Sequence, residues 1–148
     1  MRIYLDSCCY NRPFDDLSQE RINHESEAVL NIINKGIRGE YELVGSDVVE
    51  YELYQIRDIV KRQNVLDLYK NVQLRVEETD KIENRAKEIR GSSNIHIYDS
   101  LQIACAEECG ADVMLTTDDK LEKMEVKASI KARVINPSQF VNEMLYGR

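Results

Sequence analysis

The sequence predicts a single-domain α/β protein: three layers, α/β/α, around a mostly parallel central sheet. Two observations predict it. Short apolar segments of strand character alternate with longer segments of helical period to the end of the chain, the pattern of parallel strands joined by right-handed crossovers. The 148 residues, without internal repeat or linker, are the usual size of one domain and can bury a core without disulfides or a structural metal.

Residues 2–6 read as a short strand, with Ile3 and Leu5 apolar and the Asp6 carboxylate at its end. A loop is expected over residues 11–16. From about 18 to 35, Ile22, Ala28, Val29, Ile32 and Ile33 recur near helical spacing, with Gly36 the expected stop. Residues 41–45 suit a second strand, after which Ser46 or Asp47 caps a helix carrying Val48, Val49, Tyr51 and Leu53. A further helix covers 59–69. Residues 72–76 alternate like a strand, and Thr79 with Asp80 opens a charged helix ending near Gly91. Residues 98–109 carry Leu101, Ile103, Ala104, Cys105 and Ala106 around much of a helix, so that helix is expected to be buried, and Gly110 ends it. Residues 112–116 form an apolar strand leading into Thr117, Asp118 and Asp119. A strand near 133–135 and a helix begun by Asn136 and Pro137 close the chain.

Composition narrows the function classes. With 43% hydrophobic and 32% charged residues, two prolines and six glycines, the chain is neither disordered nor collagenous. A net charge of −7 argues against a long electrostatic footprint on nucleic acid, which scales with the phosphates neutralised, and is compatible with a short contact. No apolar run approaches the length of a membrane span, and the first residues enter a strand directly, so a cytoplasmic protein without membrane contact is expected. Cys8, Cys9, Cys105 and Cys109 form no C-x-x-C pair and are expected to be reduced and buried.

Four elements each deliver one carboxylate: Asp6 at the end of the first strand, Glu52 on the helix after the second, Asp99 at the start of the buried helix, and Asp118 after the strand over 112–116. In open parallel sheets, sites form beyond the carboxyl ends of the strands at the topological switch point, where Asp6 and Asp118 would emerge. Each acid has an ordinary role too, as a cap, a turn former or a solvated helix residue. Gathered together they would repel by roughly 4 kcal/mol per pair at an effective dielectric near 20, which calls for a cation or protons. Oxygen donors without paired histidine or thiolate favour Mg2+ or Mn2+. With only His24 and His96 present, a metal-activated water is the expected nucleophile of a phosphodiester hydrolysis.

Four segments carry a family resemblance: LDSCCYN at the N-terminus, SDVVEYEL from Ser46, YDSLQIACAEECGADVMLTTDDKL from Tyr98, and INPSQF near the C-terminus. In this order they resemble the successive signatures of PIN domains over nearly the whole chain. The resemblance implies one PIN-like nuclease domain over residues 1–148, with Asp6, Glu52, Asp99 and Asp118 as catalytic and metal-coordinating acids. Glu52 is preferred over Glu50 because it precedes Leu53 as in the family's Glu-Leu pair. Thr116 resembles the hydroxyl residue that accompanies the last acid, and Thr116 and Asp119 are the candidates to support the acids from behind. The chain departs from the family where Cys8 stands two residues after Asp6 in place of asparagine.

Many small PIN proteins are VapC-like toxin ribonucleases. The resemblance therefore implies cleavage of single-stranded RNA through a short contact, an antitoxin partner whose basic side chain enters the acidic pocket, and a homodimer. The alternative is a degenerate PIN scaffold that binds RNA or docks proteins without turnover. A nucleotide-binding domain lacks support, since neither G-x-G-x-x-G nor G-x-x-x-x-G-K-[ST] occurs. Lys120, Lys123, Lys127, Lys131 and Arg133 are read as solvated surface, Arg12 is given no role, and Tyr10, Tyr51, Tyr54 and Tyr98 are read as core packing rather than as platforms for a base. His96 is read as a turn or core residue.

Overall fold

The computed structural model describes residues 1–124 and 130–147. Among these, strands β1 (Arg2–Leu5), β2 (Glu42–Ser46), β3 (Leu74–Val76), β4 (Val113–Leu115) and β5 (Arg133–Ile135) form one sheet. The helices are α1 (Ser7–Asn11), α2 (Glu20–Ile37), α3 (Asp47–Tyr54), α4 (Ile59–Tyr69), α5 (Asp80–Ser92), α6 (Ile97–Glu108), α7 (Asp119–Lys123) and α8 (Pro137–Tyr146).

The strand order is β3-β2-β1-β4-β5 and every pairing is parallel. The chain builds outward from β1 to β3, then returns to lay β4 on the other side of β1. The switch point is therefore the β1–β4 seam, where Tyr4 lies opposite Met114 and Leu5 opposite Leu115.

Strand residues alternate between faces. Ile3 and Leu43 share the face that carries α2, whose Gly36 lies against the Leu43 side chain. Tyr4, Val44 and Ser46 share the opposite face, where the Tyr4 hydroxyl meets Ser46 Oγ at 2.7 Å and Ser46 interacts with Cys105 of α6. This makes the three layers. Ile3, Tyr4 and Leu5 are fully buried, and at about 1.5–3 kcal/mol per large apolar side chain β1 is the strand the core holds hardest.

Several boundaries differ from the sequence reading. The loop expected at 11–16 is instead preceded by α1 and partly wound into a 3-10 turn, Arg12–Phe14, with Pro13 in its first turn. Gly36 does not stop α2: a Cβ there would lie 2.5 Å from Leu43 Cδ1, so this glycine serves helix–sheet contact, and the turn comes at Gly39 with φ 79°. Helix α7, capped by Asp118, was not foreseen. Strand β3 begins two residues late, and just before it the Gln73 side chain takes up Leu43 N in place of a backbone carbonyl, its Oε1 accepting at 2.6 Å while its Nε2 donates to Gly36 O at 2.7 Å. All four cysteines are free; Cys9 and Cys105 are buried as expected, whereas Cys8 and Cys109 are only half-buried. Among the described residues no helix is long and apolar enough to cross a membrane.

Candidate active site

Parallel pairing across the switch point brings two loop entrances together. Asp6 N donates to Leu115 O at 2.9 Å, extending the β1–β4 ladder by one residue, and the Asp6 side chain is 4% exposed. Its Oδ2 accepts from Thr116 Oγ1 at 2.8 Å and its Oδ1 from Ser7 Oγ at 3.2 Å. The same Thr116 hydroxyl accepts from Asp118 N at 3.1 Å. One buried hydroxyl thus ties the acid of β1 to the backbone of the acid after β4.

Helices α3 and α6 supply the other two acids. Ser46 caps α3 by accepting from Val49 N at 3.1 Å, and Glu52 lies in its last turn. Asp99 lies in the first turn of α6, where His96 Nδ1 accepts from Tyr98 N at 3.2 Å. Gln102, one turn after Asp99 and fully buried, donates Nε2 to Glu52 Oε1 at 2.5 Å, linking the two helices, while its own Oε1 has no partner.

The four acids act on one another electrostatically. Glu52 is pushed up to about 7, by burial first, then by Asp6 and Asp99, against hydrogen bonds from Ser7 and Gln102 that lower it. Asp99 is pushed up to about 6, by burial and then by the charges of Asp6 and Asp118, with His96 opposing. Such shifts mark a site where like charges are held close with little water. Among the described residues, though, no group of three His, Cys, Asp or Glu side chains is drawn tightly enough to hold a metal ion. The donor chemistry of carboxylates, a threonine hydroxyl and an unpartnered amide oxygen is that of a hard cation such as Mg2+.

Asp119 lies apart from this cluster. Both its oxygens accept from Arg21, at 2.9 and 2.8 Å, and the guanidinium holds its carboxyl below the usual range. Arg21 also donates to Thr117 O at 3.0 Å and to Glu25 Oε2 at 3.2 Å. Glu25 is 1% exposed and accepts further from Arg12 Nε at 2.8 Å and Asn136 Nδ2 at 2.7 Å. This network moors the acidic loop to α2 and to the start of α8. A groove of about 720 Å³ is lined by Arg21, Glu25 and Asp119 among others, and none of the four acids lines it.

The sequence reading missed Ser7, Gln102, Arg21 and Glu25. Gln102 was open to inference, because it stands three residues after Asp99 and so on the same helix face. Arg21 and Glu25 carry no local signal; their role depends on where α2 crosses the loop. Cys8 packs beneath that loop, its Sγ accepting from Thr117 N at 3.4 Å and lying 3.7 Å from Thr116 Oγ1. Of the four tyrosines read as core, only Tyr10 is buried; Tyr51 and Tyr54 are 52% and 62% exposed and Tyr98 is half-buried. Lys120, Lys123, Lys131 and Arg133 lie on the surface, and Lys127 falls outside the described residues.

No curated protein matches the sequence. Among solved structures, a chain of VapBC2 from Rickettsia felis, bound there to a DNA fragment from their promoter, matches with a TM-score of 0.62 at 14% identity. The match covers 92% of this chain and 98% of that one, and at such identity it speaks for the fold. The PIN domain model matches residues 3–127. A match that takes in both strands of the switch point and the loops beyond them makes this chain a member of the PIN domain family.

Proposed function

We propose that the chain is a divalent-metal-dependent endoribonuclease that cleaves single-stranded RNA, with Asp6, Glu52, Asp99 and Asp118 as the acids that would hold Mg2+ or Mn2+. PIN domains are generally nucleases; the finer reading concerns the substrate, the cation and the residues. One observation carries it: burial, then the charges of Asp6 and Asp99, raise Glu52, and burial, then the charges of Asp6 and Asp118, raise Asp99. Crowding acids at a sheet terminus costs stability, and a hard cation offsets that cost. When bound, the cation supplies Lewis acidity at a phosphoryl oxygen and a water nucleophile at neutral pH.

The chain's own residues do the positioning. Thr116 Oγ1 donates to Asp6 Oδ2 and fixes the plane of that carboxylate, while Gln102 Nε2 fixes Glu52. The same reading makes the chain the toxin of a toxin–antitoxin pair. It is supported by the fold likeness to a VapBC2 chain and by an acidic site that would attract a basic antitoxin side chain. A second copy of the chain belongs to this reading as a partner.

Incubation of the purified protein with labelled single-stranded RNA tests the reading. Cleavage is expected in Mn2+ or Mg2+ and none in EDTA. Activity of Asp99→Asn equal to wild type would overturn the assignment of the acids.

A second reading, an RNA-binding or docking scaffold without turnover, is favoured by Cys8, which stands two residues after Asp6 where the family commonly has asparagine and packs against Thr116 and Thr117. RNA retention without cleavage, together with a melting temperature indifferent to Mn2+, is its expected signature, whereas a cation-binding site raises stability by mass action.

A further inference from the structure

We infer that Tyr51, Tyr98 and His96 form a stacking platform for an unpaired base, the one next to the phosphate that the acids would hold. The location rests on the nuclease reading; the platform rests on its own geometry.

The rings form a ladder at the rim of the site. Tyr51 and Tyr98 are stacked, with centroids 5.7 Å apart and planes 29° from parallel. His96 and Tyr98 lie 5.3 Å apart at 31°. Tyr51 is 52% exposed and His96 is also exposed, so ring surface faces water at both end members of the ladder. Aromatic faces left in water are costly for an isolated domain and are what a base covers when it stacks.

Their position follows from the helices. Tyr51 immediately precedes Glu52 on α3, and Tyr98 immediately precedes Asp99 on α6. Consecutive Cα atoms are about 3.8 Å apart, and each helical step turns the side chain by about 100°. The two helices therefore put one carboxylate each into the cluster and one ring each beside it. The facing rings meet because α3 and α6 pack together.

A cavity of about 390 Å³ adjoins the pair, lined by Asp47, Val48, Tyr51, Glu78 and Tyr98. Both Asp47 oxygens accept from Glu78 N at 3.0 Å, which holds this wall in place. Two carboxylates on the wall reject a phosphate and accept hydrogen bonds from a base edge, so a flat, uncharged ring suits the cavity and the sugar–phosphate chain does not. Stacking also supplies what a chain of net charge −7 lacks, an attraction that does not depend on neutralising phosphates.

Binding of a labelled single-stranded oligoribonucleotide tests the platform, measured with Ca2+ in place of Mg2+ to slow turnover. Tyr51→Ala is expected to weaken binding by roughly five- to hundredfold, the range for loss of one stacked base, and Tyr51→Trp to retain it. His96→Asn, which keeps a cap acceptor for Tyr98 N while removing the ring that backs Tyr98, is expected to weaken binding less than Tyr51→Ala, since His96 does not line the cavity. Abasic substitution at the stacked position should cost wild type as much as Tyr51→Ala does, and cost that variant nothing more. Wild-type affinity in Tyr51→Ala and His96→Asn, each with an unchanged melting temperature, overturns the platform, as does failure of the wild type to bind. Cleavage in Mn2+ separates the two readings. RNA cut equally well by wild type and Tyr51→Ala leaves the nuclease standing without the platform, whereas Tyr51-dependent binding with no cleavage leaves the platform without the nuclease.

Discussion

Replacing Glu52 by glutamine is expected to stabilise the metal-free protein in mild alkali and to leave it unchanged in acid. The Glu52 carboxyl stands at about 7 against an ordinary 4.5, raised by burial and then by Asp6 and Asp99. Between those values the folded chain keeps a proton that the unfolded chain releases. Stability therefore falls as pH rises through that window, and the whole cost is present above about pH 7. A difference of roughly 2.5 pH units, at 1.36 kcal/mol each, sets a ceiling of about 3 kcal/mol. The site is partly open to water, and screening reduces this to about 1–2 kcal/mol. Glutamine keeps the shape and an acceptor for Gln102 Nε2 and removes the charge. In a chain of this length each kcal/mol moves the midpoint by about 2–4 °C. Melting in EDTA should thus rise by roughly 2–8 °C near pH 8 and by nothing near pH 4. A Glu52→Gln midpoint at or below wild type near pH 8, or an equal gain at both pH values, would refute the account of charge crowding. Under the proposed function the same variant also loses its response to Mn2+.

Thr116→Val strips Asp6 Oδ2 of a donor and Asp118 N of its acceptor; urea unfolding should show a loss of about 1–3 kcal/mol, with Thr116→Ser near wild type. Glu25→Leu leaves Arg12, Arg21 and Asn136 without their shared acceptor and should cost about 1–3 kcal/mol, since Arg12 keeps Asp15 and Arg21 keeps Asp119. Arg21→Ala removes a half-exposed guanidinium, so its stability loss should stay near or below about 1 kcal/mol; a loss as large as that of Glu25→Leu would contradict the ranking. Gly36→Ala puts a methyl 2.5 Å from Leu43 Cδ1, and overpacking of about 1–3 kcal/mol should outweigh the helix-propensity gain of about 1 kcal/mol; a melting temperature above wild type would show that Leu43 gives way freely.

The fold was legible because its strands are short apolar runs and its helices carry local caps. Ser46, Asp58, Thr79 and Asn136 each accept from a backbone N–H within the first turn, and those four starts can be read from adjacent residues. Gly36 misled because the glycine that stops a helix and the glycine that lets a strand approach look alike in sequence. Neighbouring residues place Asp6 at a strand end, Asp99 at a helix start, Asp118 after a strand and Glu52 on the helix after β2, and in the fold the charges of Asp6 and Asp99 act on Glu52 and those of Asp6 and Asp118 on Asp99. What joins them was not legible: Thr116 reaches Asp6 across 110 positions and Gln102 reaches Glu52 across 50. Asp119 shows the limit of proximity along the chain, since it adjoins Asp118 yet is held by Arg21 on α2. The tyrosines failed for the opposite reason. Tyr51 stands between Glu50 and Glu52 and Tyr98 between Ile97 and Asp99, and an aromatic residue within a helix predicts burial where the helix rotation leaves Tyr51 exposed and Tyr98 half-buried.

Laying β4 directly against β1 has a consequence for synthesis. A growing polypeptide emerges from its amino end, so β1 can pair with β2 early, but Asp6 waits for the strand on its other side while more than a hundred further residues are made. Asp118 and Thr116 arrive only when the chain has passed them, and no truncated product ending before that point can assemble the acidic cluster. Whatever reactivity the cluster confers is withheld until β4 and the loop after it have been made and have docked on β1, a timing set by strand order alone.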